Sequence, residues 1–347
     1  MKKANDPQGD ASKVTSTPQE TGHVGQHDLP PEQQAAFAKA VRLERISIFV
    51  RIITVAIIFS LSGSSQAMRA SWIGDSLGFL PPIAFLIAIR FIGRPPTPRH
   101  PYGVHRALGV GHLVAAAALL SLGGMLLFES AMGLWGGQRP PIGLINIFGT
   151  TIWAGWLMAV ASVIVVIPSV ILSRIKLKLA PVLHNKVLYA DADMNKADWL
   201  TGLATAVGII GVGAGLWWFD AAVAIFIALD ILGDGLRNLR GCLADLIDAR
   251  ATTTDSKAPS PAIEQVRQAL LELDWVQDAD VRMRDQGQVF HTEAFVVPHE
   301  GQMPPLEELE VVREAISELD WKLDDLVLIP VAELPEEFLP QIDDREL

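Results

Sequence analysis

Apolar residues crowd the stretch from Ile46 to Leu232, and the chain is polar at both ends. The pattern predicts six apolar segments, near Ile46–Leu61, Ala70–Ile92, Leu108–Trp135, Ile142–Leu172, Ala190–Trp217 and Asp220–Leu236. Apolar runs of about twenty residues are what a bilayer core demands. A short helix from Pro31 through Arg45 leads into the first segment. The fourth is long enough to tilt or to project beyond the bilayer. In the second, Pro81-Pro82 predicts a kink just past Asp75, because proline cannot complete the helical hydrogen-bond ladder. Further on, an amphipathic helix is predicted over Ala262–Leu273 and strands over Val276–Arg284 and Gln288–Val297, around a turn at Asp285-Gln286-Gly287. A second helix over Leu306–Leu319 and a strand over Leu326–Val331 complete an α-β-β-α-β order. Glu272-Leu273-Asp274-Trp275 recurs as Glu318-Leu319-Asp320-Trp321, each copy where a helix hands over to a strand. That order predicts an α+β unit with helices on one sheet face.

Five regions follow: a disordered or amphipathic N-terminal tail (1–42), a six-helix transmembrane domain (43–248), a linker (249–261), the α+β domain (262–335) and a tail (336–347). The tail, with His23 and His27, is too polar to bury a core. The linker is assigned from its Thr, Ser and Pro content. Basic residues set the orientation. Arg90, Arg94, Arg99 and Arg106 follow the second segment, Arg174, Lys176, Lys178 and Lys186 the fourth, and Arg237, Arg240 and Arg250 the sixth. The opposite loops carry only Arg69 and Arg139. Both termini are therefore expected in the cytoplasm, in an inner (plasma) membrane protein that crosses the bilayer several times.

Composition agrees. Of 347 residues, 50% are hydrophobic and 19% charged, less charge than a soluble domain of this length carries. The net charge of −11 argues against a nucleic-acid partner. Cys242 is the one cysteine, so no internal disulfide and no cysteine-based metal cluster is expected. The chain opens on polar residues, not on a charged-then-apolar leader. It carries no nucleophile–base pair, P-loop or glycine-rich phosphate fingerprint, so an enzyme is not expected.

Carboxylates inside apolar segments are costly and mark function by default. Here they are Asp75 in the second segment, Glu129 in the third, Asp191, Asp193 and Asp198 in the fifth, and Asp230 and Asp234 in the sixth. At about 100° per residue, Asp191, Met194, Asn195 and Asp198 share one helix face. Asp193 and Lys196 lie on another and are expected to pair at i, i+3. Asp191 either lines an entrance or caps the helix N-terminus. Asp230 and Asp234 hold a proton, face water or face Arg237, and the spacing does not choose among these. Asp75 and Asp198, with the Asn195 amide, offer a hard, oxygen-rich cation site, and the same carboxylates could take up protons.

Four stretches resemble the cation diffusion facilitator family: Gly74-Asp75-Ser76-Leu77, Arg99-His100-Pro101-Tyr102-Gly103-Val104-His105-Arg106-Ala107, Ala190 through Asp198, and Trp217-Trp218-Phe219-Asp220-Ala221-Ala222. Val281-Arg282-Met283-Arg284 before Gly287 resembles the family's first soluble strand. The resemblance implies six spans, a cytoplasmic ferredoxin-like domain, a homodimer, and export of a divalent cation, with protons as coupling partners and no permanently bound cofactor. It also implies four ligands, two carboxylates at i, i+4 in the second span and a His or Asp plus an Asp at i, i+4 in the fifth. Those positions read Asp75, Phe79, Met194 and Asp198 here, so two of the four are lost. The metal-site expectation is therefore Asp75, Asp198, Asn195 and Asp191. His100 stands in the loop where the family places a second site, with Val104 at its common partner position. His291 and His299 are the only histidines of the α+β domain and are expected at its surface, without zinc. The alternative is a relative that has lost transport and serves as a binding or regulatory membrane protein.

Overall fold

The computed structural model describes residues 30–62, 76–92, 94, 97–137, 144–147, 150–323 and 325–335. The helices are α1 (Pro31–Ser62), α2 (Leu80–Ile92), α3 (Ala107–Trp135), α4 (Ala154–Val182), α5 (Lys186–Gly213) and α6 (Phe219–Leu246), followed by α7 (Pro261–Leu271) and α8 (Leu306–Ser317). The strands are β1 (Leu144–Ile147), β2 (Thr150–Trp153), β3 (Val276–Asp285), β4 (Phe290–Pro298) and β5 (Asp325–Pro330).

The first six helices form a bundle in which α4 packs on α5, α3 on α6, and α2 on α3. Glycines allow the close approaches. Gly235 of α6 lies against Leu120, and Gly123 of α3 against Ile231 and Leu232. A Cβ at Gly208 or Gly211 of α5 would collide with Asp220 or Phe219 of α6, which gives the Phe219-Asp220 pair a packing role.

Inside and outside are inverted relative to a soluble bundle. Glu44, Lys176, Asp191, Asp193 and Asp234 are buried, while Phe49, Phe128, Trp135, Ile167 and Phe226 stand exposed on outer faces. Exposed apolar surface on that scale is stable only against lipid or a partner. Among the described residues α3 is the one helix that is both long and apolar enough, by length and composition alone, to cross a membrane.

Three expectations change. The fourth predicted segment begins as a β-hairpin, β1 pairing antiparallel with β2 from Leu144↔Trp153 to Ile147↔Thr150, and α4 starts only at Ala154. The β-branched run Ile-Asn-Ile then Thr-Thr-Ile favours strands, and a short apolar run cannot be told from a helix by periodicity alone. Pro81-Pro82 marks a full break, more than a kink, between helical residues 76–77 and α2. It lies in the first turn of α2, where the missing N–H groups would be unpaired anyway, and Gly78-Phe79 form a turn just before it. The 249–261 segment is folded: Ala251 N–H donates to Met283 O (2.8 Å), Ser260 N–H to Ala251 O (2.8 Å), and Ala251 is buried in the C-terminal core.

The C-terminal unit has the expected α-β-β-α-β order. Its sheet runs β3-β4-β5, with β3 antiparallel to β4 and β4 parallel to β5, and α8 makes the crossover. Val266 and Leu270 of α7 and Val312 and Ile316 of α8 share one core with Val281, Phe290, Ala294 and Leu326. At the hairpin tip Asp285 Oδ1 accepts from Gly287 N–H (2.8 Å), and Gly287 takes φ +98°, which a side chain would strain. A Cβ at Gly287 would also meet His105 O and Leu108, so the tip is docked on the start of α3.

Candidate functional site

Helix α5 begins at Lys186, with the Asn185 side chain accepting from Leu188 N–H (3.0 Å) as its cap. Asp191 is therefore no cap, and it lines no open entrance. Its carboxylate accepts from the Lys176 ammonium of α4, which also holds Glu44 of α1 (2.9 Å). Exposure of the three side chains is 1%, 0% and 0%. Two carboxylates against one ammonium are closed among α1, α4 and α5. Buried ion pairing occupies the group that was expected to meet a cation. Asn195, on the same face, donates its amide to Asp191 O of its own helix (2.7 Å).

Seven residues along α5, about 10 Å by helical rise, Asp198 meets a different partner. Its carboxylate accepts from the Arg51 guanidinium of α1. This pair keeps 10% and 18% side-chain exposure. The guanidinium lies against Gly78, where an added Cβ would overlap it. Arg51 is the residue that reading the sequence missed. The signal was present: an arginine within the apolar run Ile46–Leu61, where a charge is exceptional. Asp75 lies outside the described residues. Met194 is fully buried in an apolar cluster with Ala118, Leu119, Ala197 and Ile231, and Leu77 packs against it.

The other face of α5 is wired to α6. Lys196 does not pair with Asp193. It reaches Asp230 (3.0 Å) and Asp234 (2.7 Å), and Arg237 also donates to Asp234 (2.6 Å). Asp193 accepts from Asn238 (2.9 Å), whose Oδ1 meets His112 Nε2 of α3 (3.2 Å). The intrahelical pair was expected from spacing alone, but cross-helix partners on α6 satisfy both groups. Asp234 thus faces Arg237, one of the alternatives that the spacing left open.

Charged groups also fasten the C-terminal unit. Lys186 holds Asp245 (2.7 Å) and Thr252 (2.8 Å), and Lys322 holds Asp285 (2.9 Å) and His184 O (3.2 Å). Burial alone would raise the Asp285 carboxyl, but Lys322 and Lys186 outweigh it and hold it below the usual range. Burial lowers the Lys322 ammonium despite Asp285. His291 is not a surface group: it is buried, bonded to Asp325 and near Glu293 (3.3 Å), and the Asp325 bond raises its pKa. His299 and His100 are exposed. Among the described residues no three His, Cys, Asp or Glu side chains gather as a metal cluster.

With this geometry in place, comparison with known proteins is informative. The profile of the cation efflux transmembrane domain matches residues 45–247, more than half of the chain. The manganese efflux system protein MneS of Bacillus subtilis (strain 168) is 25% identical over 187 residues, 54% of this chain and 60% of that protein. The uncharacterized transporter YdbO of the same organism is 24% identical over 189 residues, 54% of this chain and 61% of its own. The uncharacterized transporter MJ0449 of Methanocaldococcus jannaschii is 24% identical over 179 residues, 51% and 58% of the two chains. The chain spans about three-fifths of the length of the curated relatives it matches.

Proposed function

This chain belongs to the cation efflux family, whose members are membrane transporters and not enzymes, and from that premise we propose that it exports a divalent metal cation from the cytoplasm by secondary transport coupled to protons. Manganese is the first cation to test, because one relative is a manganese efflux protein and carboxylate and amide oxygens suit that ion. The observation that carries the reading is Asp198. It is an acid in an apolar stretch of α5, partly open, and already engaged with a cationic group. Asp75 is its proposed partner and Asn195 a neutral donor beside it.

The proposed architecture has six spans, with α1 to α6 contributing, both termini in the cytoplasm of the inner (plasma) membrane, and a homodimer joined through a ferredoxin-like C-terminal domain. Basic residues between α2 and α3 and in the C-terminal halves of α4 and α6 support the orientation. The 13 residues of α2 rise only about 20 Å, less than a bilayer core, and residues 70–75 of the second predicted segment lie outside the described residues.

A second reading, a relative without transport, is favoured by Met194, which sits in packed apolar core at an expected ligand position. Flux into proteoliposomes across a panel of divalent ions separates the two. Protein-dependent Mn²⁺ uptake coupled to proton movement supports export. No flux of any ion on the panel supports the second reading.

A further inference from the structure

The apolar run of α1 contains Arg51, and the structure gives it a specific seat. The guanidinium reaches from α1 across the turn at Gly78, just ahead of α2, to the Asp198 carboxylate of α5. Three elements thus converge on one positive group at the acid where the transported cation is proposed to bind. We propose that Arg51 is a tethered counter-ion, which occupies the Asp198 position in the cation-free protein and is displaced by the incoming divalent ion. The inference rests on the transport reading above and adds the step by which the site is loaded.

Three observations argue for displacement and against a fixed structural pair. First, the pair keeps 10% and 18% exposure, while the Lys176 cluster one face-repeat away keeps at most 1%. The first pair is thus partly open to its surroundings and the second is sealed. Second, an arginine side chain is long enough to swing its head toward the interface while its stem stays on apolar surface. Third, guanidinium does not lose its charge at any working pH, so it vacates the carboxylate only by moving. A divalent ion brings twice the charge of the group it replaces. A monovalent ion brings no more than guanidinium, which makes Arg51 a filter against monovalent cations. Gly78 is part of the device, because a side chain there would fill the notch through which the guanidinium reaches Asp198.

The test uses the full-length protein in detergent and in proteoliposomes, with Mn²⁺ as the probe. Arg51→Gln and Gly78→Ala remove the tether by independent routes. Each is expected to tighten Mn²⁺ binding in calorimetry by about tenfold, the equivalent of about 1.4 kcal/mol. Adding Asp198→Asn to either variant is expected to abolish the gain. Variants that elute as the wild type but bind Mn²⁺ equally or more weakly, while the wild type carries Mn²⁺, overturn the tether and leave the transport reading standing. Tight binding by both variants, with a wild type that neither binds nor carries Mn²⁺, shows that Mn²⁺ does not displace Arg51 and overturns the proposed displacement. No Mn²⁺ binding by any of the proteins overturns the tether, and the transport reading is then decided by the panel of divalent ions.

Discussion

Asp191 and Asp198 are two carboxylates on one face of α5, two turns apart, the first answered by Lys176 of α4 and the second by Arg51 of α1, and their surroundings differ in kind. Asp191 is sealed with Glu44 around Lys176 at 1% exposure or less. Asp198 shares a partly open seat with Arg51. A sealed pair cannot trade its partner for an ion without breaking the bundle, so its role is to hold α1, α4 and α5 together. An open pair can. On the proposed reading, access separates Asp198 as a transport ligand from Asp191 as a structural acid.

The largest effect expected from this comparison is at Lys176. Lys176→Met leaves Glu44 and Asp191 facing each other without a cation, and breaking a buried pair in this way costs about 3–5 kcal/mol. The melting temperature in detergent should fall further than for any other single change discussed here. Asp191→Asn leaves one lysine for one glutamate and should be milder. If Lys176→Met melts like the wild type, the sealed cluster is not a structural anchor.

A smaller effect is expected at the junction. Lys322→Met removes the buried ammonium nearest Asp285 and leaves it only Lys186 and the Gly287 N–H, at a cost of about 1–3 kcal/mol. Protease cleavage within 249–261 should become faster, with the bundle intact. Unchanged cleavage would mean that apolar packing alone docks the C-terminal unit.

The smallest is at His291. Its folded-state pKa is raised, chiefly by the bond to Asp325. The stabilisation is complete below the unfolded value of about 6.5 and is lost as pH rises through the folded value. Melting of the wild type should therefore decline over that window more than melting of His291→Gln, by about 1 kcal/mol or less. Parallel pH profiles for the two proteins would remove His291 from the account.

Much of the architecture was legible because it depends on local pattern. The α-β-β-α-β order follows from alternation and from the Asp285-Gln286-Gly287 turn, and α1, α3 and α5 follow from their apolar runs. The hairpin at Leu144–Trp153 was not, since an apolar β-branched run of that length reads equally as strand or helix. Nor was the ordered 249–261 segment, whose turn-rich composition says nothing of the backbone bonds to Met283 that tie it down. In the site, helical geometry placed Asp191, Asn195 and Asp198 on one face. It could not supply partners from other helices: Lys176 for Asp191, Asn238 for Asp193, Asp234 for Lys196. Arg51 sits in an apolar run with no acid of its own at helical spacing, so its partner Asp198, 147 residues away, is not legible from local pattern.

The most direct test compares Asp198→Asn with Asp191→Asn in proteoliposomes loaded with a Mn²⁺-sensitive dye, both variants first shown to elute as the wild type. If Asp198 is where the transported cation binds, Asp198→Asn abolishes Mn²⁺ flux and Asp191→Asn retains most of it. Equal flux through wild type and Asp198→Asn, or loss only in Asp191→Asn, would contradict that assignment.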